Sequence, residues 1–273
     1  TLAAFALTGR ELEELVATLA AGGKEAPGAA ARGVSPLKAL LGPVDPAAIL
    51  EVRKLASLID HTLLRPEATQ PQVERLCHEA LQFGFAVACV NPFWIPTASK
   101  MLQGSDVRVG TVVGFPLGAT TTSAKRAEAR AAILAGAREI DVVMNVGAMR
   151  SGDLARVQID IRGVVEICHA AGVIVKVILE NAYLTDAEKT MACQIVKQTG
   201  ADFVKTSTGF GPSGATGADV RLMREAVGPA MGVKAAGGIR TLADALGLLR
   251  AGANRLGTSA GVNILGEAAQ RVS

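Results

Sequence analysis

One lysine in this chain stands where a buried strand is expected to end. Lys205 follows the short apolar run from Ala201 to Val204 and precedes a turn rich in hydroxyl groups and glycine. Burial disfavours the ammonium form of lysine, and a neutral amine can condense with an aldehyde or ketone to form a Schiff base. Alternatively, Lys205 leaves the strand and extends to solvent, which this segment alone does not exclude.

Further charged side chains lie in runs that are otherwise apolar. Asp141 belongs to the fourth such run, Lys176 to the fifth and Lys234 to the seventh. A purely structural interpretation makes them ion pairs, but buried ion pairs contribute little net stability because desolvation offsets attraction. Lowering the pKa of Lys205 from about 10.4 to about 7 requires about 4 kcal/mol, and a second ammonium a few ångströms away supplies an energy of that order. We therefore expect Lys234 to cause most of the lowering.

Composition limits the classes of protein that the chain can belong to. Of its 273 residues, 49% are apolar and only 3% are aromatic, which predicts a core of Ala, Val, Leu and Ile, as in buried parallel sheets. The formal charge of +3 is small and the basic residues are dispersed, so we expect no nucleic-acid partner. No apolar run approaches the roughly 18 residues of a membrane span, so we expect no membrane partner.

The cysteines and histidines show no pattern typical of disulfides or metal sites. Cys77, Cys89, Cys168 and Cys193 lie far apart without a CxxC pair, which predicts reduced thiols and a cytoplasmic location. The three histidines lack metal-ligand spacing.

A strand-like run followed by a helical pattern recurs along most of the chain. Capping signatures at Thr69, Thr185, Thr216 and Thr241 start several of the helices, and glycine ends several others. The predicted strands are Ser57–Ile59, Ala86–Val90, Val107–Val113, Glu139–Met144, Ile174–Leu179, Asp202–Lys205, Gly232–Ala235 and Asn254–Leu256. Eight such units predict an α/β fold, a (β/α)8 TIM barrel. An open doubly wound sheet is the alternative, disfavoured because no GxGxxG follows the first strand.

The segment before the first predicted strand has a different composition. A capping box from Thr8 to Glu11 predicts a helix to about Ala20, and Asp45-Pro46 starts a second helix. The stretch from Ala26 to Pro43, rich in Gly, Ala and Pro, is typical of a linker. We therefore divide the chain into an N-terminal helical arm with its linker (residues 1–56) and a barrel (residues 57–273).

Glycine-rich turns follow the last two predicted strands. Gly237-Gly238 follows the seventh strand, and the turn Gly257–Gly261 follows the eighth. Loops at these positions of a barrel often bind phosphate through backbone N–H groups and a helix N-terminus. The residues that we assign to a phosphate site are Gly209, Gly237, Gly238, Gly257 and Ser259. We interpret the adjacent Arg240 as a solvated residue at a helix start.

Seven motifs occur in order between about Leu58 and Val262. They are Asp60-His-Thr-Leu-Leu64, Cys89-Val-Asn-Pro92, Val113-Gly-Phe-Pro-Leu-Gly118, Glu139-Ile-Asp-Val-Val-Met-Asn145, Val175-Lys-Val-Ile-Leu-Glu180, Phe203-Val-Lys-Thr-Ser-Thr-Gly-Phe210 and Val233-Lys-Ala-Ala-Gly-Gly-Ile-Arg240. In these motifs the chain resembles the deoxyribose-phosphate aldolase family. The resemblance implies a class I aldolase that cleaves 2-deoxy-D-ribose 5-phosphate to D-glyceraldehyde 3-phosphate and acetaldehyde, with neither a metal nor another cofactor.

Residue roles follow from this resemblance motif by motif. It implies that Lys205 is the Schiff-base lysine and that Lys234 and Asp141 donate and accept protons. The supporting residues that it implies are Lys176, Asp60, Cys89 and Thr206. It also implies a small-molecule sugar phosphate as the substrate and a homo-oligomer, either a dimer or a tetramer.

Two other functions are compatible with these residues. One is another sugar-phosphate lyase or isomerase that uses the same lysine on the same barrel. The other is a catalytically silent barrel that serves as an interaction module with the N-terminal arm as its contact. The presence of Lys205, Lys234 and Asp141 together argues against a silent barrel.

Overall fold

Parallel strands form a closed barrel in the computed structural model, which describes residues 52–272. Each strand pairs with the next, and the last pairs with the first. The strands are β1 (Ile59–Leu63), β2 (Val87–Val90), β3 (Arg108–Val113), β4 (Glu139–Val143), β5 (Ile174–Ile178), β6 (Phe203–Lys205), β7 (Gly232–Ala236) and β8 (Arg255–Thr258). The predicted (β/α)8 TIM barrel is confirmed.

Helices alternate with these strands and cover the outside of the barrel. In the described part of the chain they are α1 (Gln70–Phe83), α2 (Ile95–Met101), α3 (Thr122–Ala135), α4 (Val146–Arg150), α5 (Leu154–Ala170), α6 (Asp186–Thr199), α7 (Gly217–Val227), α8 (Leu242–Arg250) and α9 (Gly261–Val272). The capping predicted at Thr185 is present, since its hydroxyl accepts from the Glu188 N–H at 3.3 Å and Glu188 Oε2 accepts from the Thr185 N–H at 2.7 Å. Gly200 ends α6 in the left-handed conformation (φ 80°), which glycine adopts without a steric penalty.

The first strand lies further along the chain than predicted. Its predicted range, Ser57–Ile59, was wrong, because β1 runs from Ile59 to Leu63. The apolar pattern misplaced it because polar side chains occupy both faces of this strand. Asp60 points into the barrel towards Lys234, and His61 points outwards, where its Nε2 lies 2.7 Å from Glu79 Oε2 of α1.

Successive residues of a strand face two different environments, the core between sheet and helices and the inside of the barrel. Ile140 and Val142 of β4 belong to the large apolar core between sheet and helices, whereas Asp141 between them contacts charged residues across the barrel. Small residues make room inside the barrel. A Cβ built on Gly232 would lie 2.1 Å from the ring of Phe203, so glycine at this position leaves the space that the ring occupies.

The described chain begins in a helical segment that is part of the folded body. Residues 52–56 are helical, and Val52, Leu55 and Ala56 are buried in the main core. The first predicted helix, the linker and the start of the second helix at Asp45 lie outside the described residues, and the division at residue 56 stays a prediction. Within residues 52–272 no helix is both long enough and apolar enough to cross a membrane.

We propose that the arm is an appendage, and two truncations test this. Removal of residues 1–44 should leave a folded barrel with an unchanged thermal midpoint. Removal of residues 1–56 should lower the free energy of unfolding by roughly 3 kcal/mol or more, because it deletes Val52 and Leu55 from the core. Thermal unfolding followed by circular dichroism measures both, and a shorter truncation that unfolds would show that the arm is part of the barrel.

Candidate active site

Three lysine side chains converge on one carboxylate inside the barrel. Asp141 Oδ2 accepts hydrogen bonds from Lys205 Nζ and Lys234 Nζ, each at 2.7 Å, and Asp141 Oδ1 accepts one from Lys176 Nζ at 2.9 Å. The register of the sheet produces this convergence, because Lys176 pairs with Asp141 and Lys205 pairs with Lys234 on neighbouring strands. The lysines are only 1–3% exposed. The structure thus brings together the charged residues that interrupt the apolar runs.

A second set of charges lies towards the amino-terminal ends of the strands. Arg255 Nη1 donates to Asp60 Oδ1 at 2.7 Å and lies 3.4 Å from Glu139 Oε2. Lys176 Nζ lies 2.6 Å from Glu139 Oε2, and Lys234 Nζ donates to Asp60. The lysines other than Lys205 therefore each contact at least two buried carboxylates.

The charge pairing determines which groups are ionised. Burial acts to raise the pKa of Asp141, but the three neighbouring ammonium groups outweigh it and hold the pKa well below its ordinary value. Burial likewise acts to lower the pKa of Lys176 and Lys234, but Asp141 and Asp60 outweigh it and raise the pKa of both. At neutral pH, Lys176 and Lys234 are therefore ammonium ions.

Lys205 differs from the other two lysines. Its pKa is lowered, first by burial and then by the positive charge of Lys234, while its single carboxylate partner Asp141 opposes the change. The expected direction is confirmed, but the expected cause is wrong, since burial contributes more than Lys234 does. Lys205 is thus the lysine of this cluster that loses its proton most readily, as a nucleophilic amine requires.

A cavity of about 360 Å³ opens above Lys205, between the carboxyl ends of β1, β6, β7 and β8 and the loops that follow them. Lys205 lines it, whereas Lys176 and Lys234 are not among its lining residues. Arg65 and Arg240 also line it, and none of the described residues in its wall is acidic. Arg240 is exposed, as expected, but it belongs to the cavity as well. The cavity is therefore suited to an anionic ligand that carries a carbonyl group.

The residues assigned to a phosphate site all line this cavity, namely Gly209, Gly237, Gly238, Gly257 and Ser259. Ser259 lies just before the start of α9. Gly257 is a residue of β8 rather than of the turn after it. A Cβ built on Gly257 would lie 2.9 Å from Lys234 Cε, so this glycine also leaves space for the Lys234 side chain.

The supporting residues lie at different distances from the cavity. Cys89 of β2 is buried, and burial together with Asp141 raises the pKa of its thiol to about 11, so it is protonated at neutral pH. The Thr206 hydroxyl donates to the Ala236 carbonyl and accepts from the Ala236 N–H, each at 3.1 Å. Thr206 therefore links the ends of β6 and β7 and does not line the cavity.

Sequence reasoning missed several members of the site. Glu139 and Arg255 received no role, because they fall at the first and second positions of their predicted strands, where charged residues are usually solvated. Alternation could have indicated Arg255, which shares the inward side of β8 with Gly257. Arg65 follows β1, and no motif distinguishes it from other loop arginines.

A buried lysine with a lowered pKa, placed under a cavity at the carboxyl end of a (β/α)8 barrel, is typical of a class I aldolase. Comparison with known proteins is consistent with that class. The family model for DeoC/LacD aldolases matches residues 54–267. The chain belongs to this family.

Several relatives cover the barrel almost from end to end. The chain is 60% identical over 212 residues to a deoxyribose-phosphate aldolase of Streptococcus pneumoniae serotype 19F (strain G54), covering 78% of this chain and 96% of that protein. It is 55% identical over 213 residues to a deoxyribose-phosphate aldolase of Thermococcus gammatolerans, covering 77% and 95%. A solved structure, described as a unique tetrameric deoxyribose phosphate aldolase of Aeropyrum pernix, is 36% identical with a TM-score of 0.74, covering 81% of this chain and 97% of that one.

Two substitutions should shift the titration of Lys205 in opposite directions. Lys234→Leu removes a cation that lowers the pKa of Lys205, so the amine should become reactive only at higher pH. Asp141→Asn removes the carboxylate that raises this pKa, so reactivity should extend to lower pH. The rate of borohydride trapping of the amine with acetaldehyde, measured across pH, reports both shifts.

The control for this pair is Lys197→Leu, which replaces an exposed lysine of α6 and should leave the pH profile unchanged. Both site variants should also lose turnover by about 100-fold or more if they move protons. Shifts in the same direction, or none, would show that the charges around Lys205 do not control its reactivity.

Proposed function

We propose that the protein cleaves 2-deoxy-D-ribose 5-phosphate to D-glyceraldehyde 3-phosphate and acetaldehyde through a Schiff base on Lys205. The single observation that carries this proposal is the placement of Lys205. It is the lysine of the cluster that reaches the cavity and the one whose pKa is lowered. The relatives in Streptococcus pneumoniae and Thermococcus gammatolerans carry the name of this activity.

The proposed reaction begins with addition of the neutral Lys205 Nζ to C1 of the open-chain sugar. Loss of the resulting hydroxyl as water gives an iminium ion. Removal of the C3 hydroxyl proton then breaks the C2–C3 bond, and the bonding electrons neutralise the iminium as an enamine. C3 leaves as the aldehyde of glyceraldehyde 3-phosphate. Protonation of the enamine at C2 and hydrolysis release acetaldehyde and the free amine.

Asp141 and Lys234 are the groups that we propose move these protons. One oxygen, Asp141 Oδ2, lies 2.7 Å from both Lys205 Nζ and Lys234 Nζ, which gives a direct route between nucleophile and ammonium. Lys234 is charged and can donate, and Asp141 is ionised and can accept. In this proposal Lys176 and Asp60 hold the pair in place from below.

The phosphate would occupy the part of the cavity between the loops after β6, β7 and β8. Gly209, Gly237, Gly238, Arg240 and Ser259 all line this region. The backbone N–H groups and the Ser259 hydroxyl are the donors that we propose for the phosphate. Positive charge without any lining carboxylate favours a dianion there. Binding energy from this remote group can position the sugar over Lys205.

We also propose that the protein is a homo-oligomer in the cytoplasm. The Aeropyrum pernix structure is described as tetrameric, and the four cysteines of this chain are buried and unpaired, as a reducing compartment permits. The mass in solution, measured by light scattering, distinguishes a dimer or tetramer from a monomer, and fractionation of cells tests the location.

Borohydride added during turnover should fix a covalent adduct on Lys205. Reduction of the iminium gives a stable secondary amine, so peptide mapping by mass spectrometry locates the lysine that formed it. Lys205→Met is the matched control and should give no adduct. An adduct on Lys176 or Lys234 would overturn the assignment of the nucleophile.

A carboxylate placed in the proposed phosphate site should discriminate against the phosphorylated sugar. Ser259→Asp introduces a negative charge into the cavity wall, and like charges there repel the dianion. We expect kcat/KM for 2-deoxyribose 5-phosphate to fall by about 100-fold and that for 2-deoxyribose to change by less than about threefold. Ser259→Ala is the uncharged control. Equal losses on both sugars in Ser259→Asp would place the phosphate elsewhere.

A further inference from the structure

Glu180 has a backbone conformation that is unusual for its residue type. It follows β5 with φ 55° and ψ 63°, the left-handed region, and is the non-glycine residue with positive φ in the described part of the chain. Glycine would adopt this conformation without steric cost. The position therefore holds a side chain at the expense of backbone strain, which raises the question of what the side chain does.

The Glu180 carboxylate binds the loop that follows the Schiff-base lysine. It is buried and accepts hydrogen bonds from Thr208, through the backbone N–H at 3.3 Å to both oxygens and through the hydroxyl. The Thr208 hydroxyl in turn accepts from the Phe210 N–H at 3.0 Å. A Cβ built on Gly211 would lie 3.0 Å from Glu180 Cδ, so the loop fits closely round the carboxylate.

This loop is one wall of the cavity above Lys205. Thr208, Gly209 and Phe210 all line the cavity, and Gly209 belongs to the proposed phosphate site. Lys205 itself does not depend on Glu180 for its position, because the pairing of β6 with β5 and β7 and the bond to Asp141 hold it. Loss of the carboxylate should therefore loosen the wall and leave the amine in place.

We propose that Glu180 is a positioning residue that fixes the loop Thr208–Phe210 as the wall that receives the phosphate end of the substrate. This inference rests on the proposed function and adds to it a residue that touches neither the sugar nor the reacting amine. Because the carboxylate accepts from both the backbone and the hydroxyl of one residue, it fixes the loop in a single orientation. Specificity for the phosphorylated sugar then depends on this contact.

The test compares two substrates and one trapping reaction in Glu180→Gln, Glu180→Gly and Thr208→Val. We expect kcat/KM for 2-deoxyribose 5-phosphate to fall by about tenfold or more, as for a lost hydrogen bond to a charged group. In the two Glu180 variants, the value for 2-deoxyribose should change by less than about threefold, and borohydride trapping of acetaldehyde on Lys205 should proceed at the wild-type rate, since the amine keeps its contacts.

Two comparisons separate this role from a merely structural one. Glu180→Gly removes any backbone strain, so it would be neutral if only the conformation mattered. The double variant Glu180→Gln/Thr208→Val should be no worse than either single variant, because the substitutions break the same contact. Glu188→Gln is the matched control, since Glu188 also accepts from the N–H and hydroxyl of one threonine, but at the exposed start of α6.

The outcomes distinguish this inference from the function on which it depends. If both sugars lose activity equally in Glu180→Gln, or neither does, the positioning role is wrong while the aldolase reaction stands. If the wild-type protein neither cleaves the sugar phosphate nor gives an adduct on Lys205, the proposed function itself fails. Both the proposed function and the role of Glu180 are supported if the wild-type protein cleaves the sugar phosphate and the Glu180 variants lose activity selectively on the phosphorylated sugar.

Discussion

The balance of charge inside the barrel is the constraint on which the rest of the site depends. Three buried lysines (Lys176, Lys205 and Lys234) and the partly buried Arg255 face three buried carboxylates (Asp60, Glu139 and Asp141). An unpaired charge is costly in a closed interior of low dielectric constant. Because the basic groups outnumber the carboxylates, the base with the fewest carboxylate partners is the easiest to neutralise. That base is Lys205, which contacts a single carboxylate and whose pKa is lowered by burial.

The same balance explains why the barrel interior is polar around Asp141, where most cores are apolar, whereas Val87, Cys89 and Val112 of β2 and β3 form a small separate apolar cluster. The apolar core lies between the sheet and the helices, where it stabilises the fold. Inside the barrel, glycines at positions 232 and 257 leave room for a phenylalanine ring and a lysine side chain. The strands therefore separate stability on their outer faces from chemistry on their inner faces. Substitutions on the two faces should act on different properties of the protein.

The two ends of the barrel have correspondingly different tasks. Arg255 and Glu139, at the starts of their strands, anchor the charge network from below, and Arg108, which is half exposed, extends it towards solvent. At the other end, loops border the cavity and would determine which carbonyl compound reaches the amine. Glu180 belongs to this end, and its buried carboxylate accepts hydrogen bonds from a loop that lines the cavity. The strands thus determine the charge of the site, and the loops at their carboxyl ends determine its selectivity.

The sequence by itself determined the class of fold and the identity of the central residues. Eight apolar runs separated by capped helical patterns are compatible with few folds other than a (β/α)8 barrel. Lysines within such runs are conspicuous because burial of an ammonium group is costly. The tertiary structure determined the contacts and pKa shifts that depend on distances between strands. Only closure of the barrel brings Asp60 of β1 against Lys234 of β7, far apart in the chain. The lowered pKa of Lys205, the place of Gly257 in the cavity wall beside Lys234 and the contact of Glu180 with Thr208 follow from the same packing. No local pattern encodes them, because desolvation and Coulomb energy depend on neighbours in space rather than in sequence.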